Sequence, residues 1–154
     1  PSTKDETVRV VVNDDFDQPL EIGNGILGEQ VLLAQLEETA RILELKQPDK
    51  LIVFGGDCSV AQAPFDYLSG KYGDKLGVLW LDAHPDICTP EGSDHNFEMI
   101  VGNLIGHGAP QFAAQMKHPI NKKRVMYGGI IEEKLRPKEK LYHELKCARM
   151  TGQQ

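Results

Sequence analysis

Apolar and polar positions follow two different periods along this chain. Val8 to Val12, interrupted only by Arg9, form a short β-branched run that ends at Asn13-Asp14-Asp15, as a strand entering a turn would. After Gly23-Asn24-Gly25 the period lengthens, and Leu32, Leu36, Ala40 and Leu43 share one helical face with Glu37, Glu38 and Arg41 off it. That spacing predicts an amphipathic helix, stopped at Gln47-Pro48-Asp49 because proline cannot continue it. Leu51-Ile52-Val53-Phe54 is an unbroken apolar run, as expected of a strand buried on both faces. Gly55-Gly56 closes it, and Asp57-Cys58-Ser59 leads into a second helix ending near Gly70 or Gly73.

The unit then repeats. Leu76 to Leu81 predicts another buried strand, Phe97 to Ile105 a helix, Val125-Met126-Tyr127 a further strand, and Glu132 to Lys146 a charged amphipathic helical tail packed through Leu135, Leu141 and Leu145. Strands alternating with helices indicate βαβ units and a parallel α/β sheet. In such sheets ligands bind beyond the carboxyl ends of the strands, so the residues just after strand termini matter most.

With 154 residues and 40% apolar side chains the chain is expected to form one domain over 1–154 with a sizeable core. No run approaches the ~18 consecutive apolar residues of a membrane helix. The three cysteines, Cys58, Cys88 and Cys147, are widely spaced with no C-x-x-C, so reduced thiols and a cytoplasmic location are expected. Residues 1–116 hold 7 lysines and arginines against 19 acids, and residues 117–154 hold 10 against 4. The basic end lacks aromatic interleaving beyond Tyr127 and Tyr142, and the whole chain carries −6, which argues against nucleic acid as a partner.

The chemistry concentrates after two strands. Asp82-Ala83-His84-Pro85-Asp86 places carboxylate, imidazole and carboxylate at alternate positions, which share a side in extended chain. Such a set suits Mn, Zn or a similar divalent cation, although an acidic solvated turn would carry the same residues. The preceding strand also ends in a potential ligand, in Gly55-Gly56-Asp57-Cys58-Ser59, so two strand ends could converge. Near a helix N-terminus the Cys58 thiolate would be favoured by backbone amides; alternatively Cys58 is a small buried apolar residue. His107, His118 and His143 have no ligand-spaced partners and read as loop or surface residues.

G-G-D-C-S after one strand and L-D-A-H-P-D-I-C-T-P after the next resemble the two early signatures of the ureohydrolases, the arginase, agmatinase and formiminoglutamase family. The resemblance runs from about Ile26 to Ile130. It implies a three-layer αβα fold with a parallel sheet, present here in part, a binuclear Mn site, and hydrolysis of a C–N bond in a guanidino, amidino or formimino small molecule. Asp82 would bridge both metals, His84 bind one and Asp86 the other. Cys58 stands where the family has histidine, which would tilt the site towards Zn. Ser93 would hold the substrate, His95 would serve as the catalytic proton shuttle from two residues before the family's position, occupied by Phe97, and Cys88 replaces a substrate-binding asparagine. No aspartate follows Asp94, so the family's late D-x-D metal motif is absent from these residues. A homo-oligomer is compatible with the resemblance. So is a non-catalytic homologue that keeps the fold as an interaction module.

Overall fold

A computed structural model describes residues 6–13, 17–139 and 141–150 of the chain. Its first regular feature is a hairpin that the sequence reading passed over. Strands β1 (Ile22–Gly23) and β2 (Ile26–Leu27) pair antiparallel across Asn24 and Gly25. Both turn residues have positive φ, 45° and 83°, the conformation for which Asn-Gly is the favoured pair.

Helix α1 (Glu29–Lys46) follows, and it ends as expected: Gln47 turns left-handed and its N–H closes on the Leu43 carbonyl, one residue before Pro48. Helix α2 (Gln62–Tyr72) starts from a 3-10 turn at Cys58–Ala61 and stops at Gly73, whose φ of 51° is costly for any residue with a Cβ.

Strands β3 (Val78–Leu81), β4 (Val125–Gly128) and β5 (Ala148–Met150) make a parallel sheet in the order β3-β4-β5. Parallel neighbours need long crossovers. Between β3 and β4 the chain runs through a 3-10 turn at Asn96–Met99, helix α3 (Ile100–Leu104) and helix α4 (Pro110–Ala113); between β4 and β5 it runs through helix α5 (Leu141–Leu145). Val78, Trp80, Val125 and Tyr127 point to one side of the sheet and pack with Ile87, Ile100, Val101, Leu104, Tyr142 and Leu145. A smaller core joins Ile26, Cys88, Met99, Ala109 and Phe112 to the face of α1 that carries Leu32 and Leu36.

The structure corrects several expectations. Val8–Val12 and Leu51–Phe54 form no strand, and the turn expected at Asp14 and Asp15 lies outside the described residues. Ile52 and Phe54 are 84% and 93% exposed rather than buried. A run of apolar residues becomes a strand only when a neighbour accepts its backbone hydrogen bonds, and none of the described residues does. Strand β3 is buried on one face only: Leu81 is 71% exposed, and Leu79, Met126 and Met150 lie open with it. The helix expected over Phe97–Ile105 begins as a 3-10 turn, with α3 forming its second half. The charged tail is not one helix but two 3-10 turns, Glu132–Lys134 and Pro137–Glu139, followed by α5. Pro137 lacks an N–H and clashes with the preceding turn, which breaks the run.

Candidate metal centre

The loops after the Leu51–Phe54 segment and after β3 meet, as two converging strand ends would. Cys58 Sγ lies 3.7 Å from Asp82 Oδ2. One ligand atom each from Cys58, Asp82 and Asp86 falls within 4.8 Å of the others. Local backbone chemistry places each of them. The Asp57 side chain accepts from Ser59 N–H at 2.8 Å and caps the turn that presents Cys58. Asp82 Oδ1 accepts from His84 N–H at 2.9 Å, which bends the chain directly after β3.

The β4 end supports this loop from beneath. Asp82 N–H donates to the Gly128 carbonyl and Ile131 N–H to the Ala83 carbonyl. Gly129 has φ of 87°, and a Cβ there would lie 3.3 Å from the Asp82 carbonyl oxygen. The buried Tyr127 hydroxyl donates to the Pro85 carbonyl at 2.9 Å. Asp86 itself holds a φ of 45°, with its carbonyl accepting from Gly102 N–H.

Asp86 is only 5% exposed, and its Oδ2 is buried with no hydrogen-bond partner among the described residues. Burial, countered in part by a hydrogen bond from Cys58, raises its pKa to about 7, with the nearby charges of Asp82, Glu139 and Glu98 adding to the rise. Burial and the carboxylates of Asp86 and Asp82 push the Cys58 thiol far above its ordinary range. This corrects the expectation that backbone amides would favour the thiolate: the turn at Cys58 is too short to offset two facing carboxylates. Such a pocket, with a thiol and two carboxyl groups crowded together and one buried oxygen left without a donor, fits a divalent cation that would displace their protons.

The remaining site residues predicted from sequence fall nearby but not within this cluster. His84 is more than half exposed, its Nδ1 3.8 Å from Asp82 Oδ1. His95 Nδ1 lies 2.5 Å from Asp94 Oδ1, and its ring meets Phe97 edge-on with centroids 5.3 Å apart. Ser93 Oγ accepts from His95 N–H at 3.2 Å. Cys88 is fully buried in the smaller core, where burial raises its thiol to about 11. His95 and Phe97 line a cavity of about 420 Å³ together with Leu27, Gly28, Asp57 and Ser59, the last two flanking Cys58. His107, His118 and His143 are exposed, as expected.

The sequence reading also missed residues that brace the site. Glu98 takes Arg136 Nη1 at 2.7 Å and Lys138 Nζ at 2.5 Å. Burial pushes the Glu98 carboxyl up, but hydrogen bonds from Lys138, Ser93 and Arg136 outweigh it and hold the pKa at about 2. Arg136 also pairs with the buried Glu139. This network ties the loop carrying Ser93 and His95 to the segment after β4. The signal for it was Pro137, which interrupts the helix that the charge pattern suggested. A buried amide set does similar work: Asn103 Nδ2 donates to Gln62 Oε1 and to Asn96 Oδ1, next to His95.

The arginase family model matches residues 3–154. The chain belongs to the arginase family. Among its relatives is the arginase of Entamoeba histolytica, 36% identical over 84 residues, covering 52% of this chain and 28% of that enzyme. Bacillus subtilis arginase is 36% identical over 97 residues, 59% of this chain and 30% of that enzyme. The solved E. histolytica arginase, in complex with L-ornithine, matches with a TM-score of 0.74 at 25% identity, covering 88% of this chain and 47% of that one. Bacillus caldovelox arginase shares the fold with a TM-score of 0.77, covering 92% of this chain and 49% of that one. The chain thus spans about half the length of these solved arginases. The α/β fold with a parallel sheet expected from sequence is therefore the arginase fold, represented here by the sheet, its open face and the helices on the other.

Proposed function

We propose that this chain carries the first metal-binding half of a ureohydrolase, an enzyme that hydrolyses a C–N bond of a guanidino, amidino or formimino small molecule. The observation that carries this reading is the convergence of Cys58, Asp82 and Asp86 from two loops, one of them at the end of β3, in an arginase-family chain. Cys58, Asp82 and Asp86 would hold one cation, with Asp82 and His84 directed to a second, Mn in the family pattern and Zn where the thiol dominates. Divalent cations supply a water acidified towards neutral pH and stabilise charge developing on the attacked carbon's substituents. The chain's own residues do the rest. The cavity beside Cys58 admits a small molecule, Asp57 offers a carboxylate to its cationic end, Ser93 holds the loop at its edge, and His95, oriented by Asp94, moves a proton at its free ring nitrogen.

The test is turnover by the natural polypeptide that carries these residues, supplied with Mn(II) or Zn(II). Arginine, agmatine and formiminoglutamate are the substrates to assay. We expect cleavage of at least one, lost on replacing Asp82 by Asn and reduced on the order of 100-fold by His95→Ala. A metal-loaded protein inert towards all three would instead favour a fold-retaining interaction module. That second reading draws on the departures at Cys58, Cys88 and Phe97, positions where the resemblance implies other, ligand-binding residues.

A further inference from the structure

We propose that Cys58, Asp82 and Asp86 form a self-contained site for one thiophilic divalent cation, with the Cys58 sulfur as the ligand that sets its metal preference. The inference deepens the hydrolase reading and rests on it for the role of the site.

Three observations converge. The first is donor spacing. With zinc-type bond lengths to sulfur and oxygen, a tetrahedral S–metal–O angle separates the two donors by roughly 3.5 Å. Cys58 Sγ and Asp82 Oδ2 stand 3.7 Å apart, near that separation.

The second observation is Asp86 Oδ2. It belongs to a residue only 5% exposed, the atom itself has no hydrogen-bond partner among the described residues, and the residue completes the cluster. A buried carboxylate oxygen without a donor costs about 1 to 3 kcal/mol or more, so a folded chain keeps one where another electrophile meets it.

The third is composition. A hard cation such as Mn(II) takes carboxylate, imidazole and water, whereas thiolate selects Zn(II), Cd(II) or Co(II). His84 does not offset this softness, because its ring is more than half exposed and it lies outside the cluster. Three donors from two loops therefore gather without the imidazole.

The experiment is cobalt substitution of the 154-residue chain, with Cys58→Ser, Cys58→His and His84→Ala beside it, each checked for unchanged far-UV circular dichroism. We expect one Co(II) per chain with a thiolate-to-cobalt charge-transfer band in the near ultraviolet. The band should vanish in Cys58→Ser and persist in His84→Ala. Competition of Cd(II) against Mn(II) should shift towards Mn(II) by about tenfold or more in Cys58→His. Cobalt bound without the band, or an unchanged Cd-to-Mn ratio in Cys58→His, overturns the thiol assignment and leaves the hydrolase reading standing. Loss of cobalt binding in His84→Ala overturns self-containment. Failure to bind any of these cations overturns both this inference and the metal-dependent reading. Should Cys58→His misfold, the Cys58→Ser spectrum alone decides the ligand.

Discussion

Asp86 shows how one residue can be written plainly in a sequence while its energetics are not. The D-x-H-x-D spacing identifies it as a ligand candidate, but only the fold buries it and deprives Oδ2 of a donor. Its consequence is a pH dependence. The folded pKa, raised to about 7 by burial, stands above the unfolded value near ~4, so the unfolded state loses its proton first. Stability from the neutral carboxyl is fully present below the unfolded pKa and is lost as pH rises to about 7. Urea titrations of the cation-free chain should therefore show falling stability between about pH 4 and pH 7. Asp86→Asn should flatten that slope and stabilise the chain at pH 8 by a few kcal/mol, on the order of the linkage energy. An unchanged slope in Asp86→Asn would locate the titrating group elsewhere. His84 and His95 teach the converse. Both were legible as site candidates from residue type and spacing, yet their exposure and partners, Asp82 and Asp94, come only from the folded loops.

At the scale of elements, local signals were reliable where a single residue's conformation decides the outcome. Pro48 ended α1 and Gly73 ended α2 because those constraints are intramolecular and short-ranged. The Asn24-Gly25 hairpin carried the same kind of signal, although the sequence reading passed over it. Gly129 was not: nothing in its neighbours announces that β4 must end against the Asp82 loop. Its positive φ and the 3.3 Å approach to the Asp82 carbonyl make it the hinge on which the metal loop rests. Gly129→Ala should cost about 1 to 2 kcal/mol in denaturant unfolding and weaken Co(II) binding, whereas Gly56→Ala, with nothing within 4 Å of the added Cβ, should leave both nearly unchanged. Equal effects at the two glycines would argue against a special role for the β4 end. The broken tail belongs here too, since its charge pattern suited a solvated helix while Pro137 and the pairing of Arg136 with Glu98 and Glu139 redirected it towards the site.

Across the whole molecule the outstanding feature is a parallel sheet with one covered face. Leu79, Leu81, Met126 and Met150 lie on the other, and among the described residues β3 has a neighbour on one edge only. Parallel sheets are ordinarily covered on both faces, and open apolar edges template association. The 154-residue chain should therefore self-associate with rising concentration in size-exclusion chromatography with light scattering. Leu79→Lys with Leu81→Lys should restore a monomer without loss of helical circular dichroism; unaltered association would point to another surface, such as the exposed Ile52 and Phe54. No described helix is long and apolar enough to cross a membrane. By itself the sequence determined the alternation of strands and helices, the stop at Pro48 and one near Gly70 or Gly73, the identities of four candidate ligands and the family they resemble, because each depends on short-range sterics or on residue type. Only the tertiary structure decided which apolar runs became strands, that Cys58, Asp82 and Asp86 meet while His84 stays outside, and that one carboxylate oxygen is stranded. Hydrogen-bond partners, burial and electrostatic neighbours are supplied by residues distant in the chain.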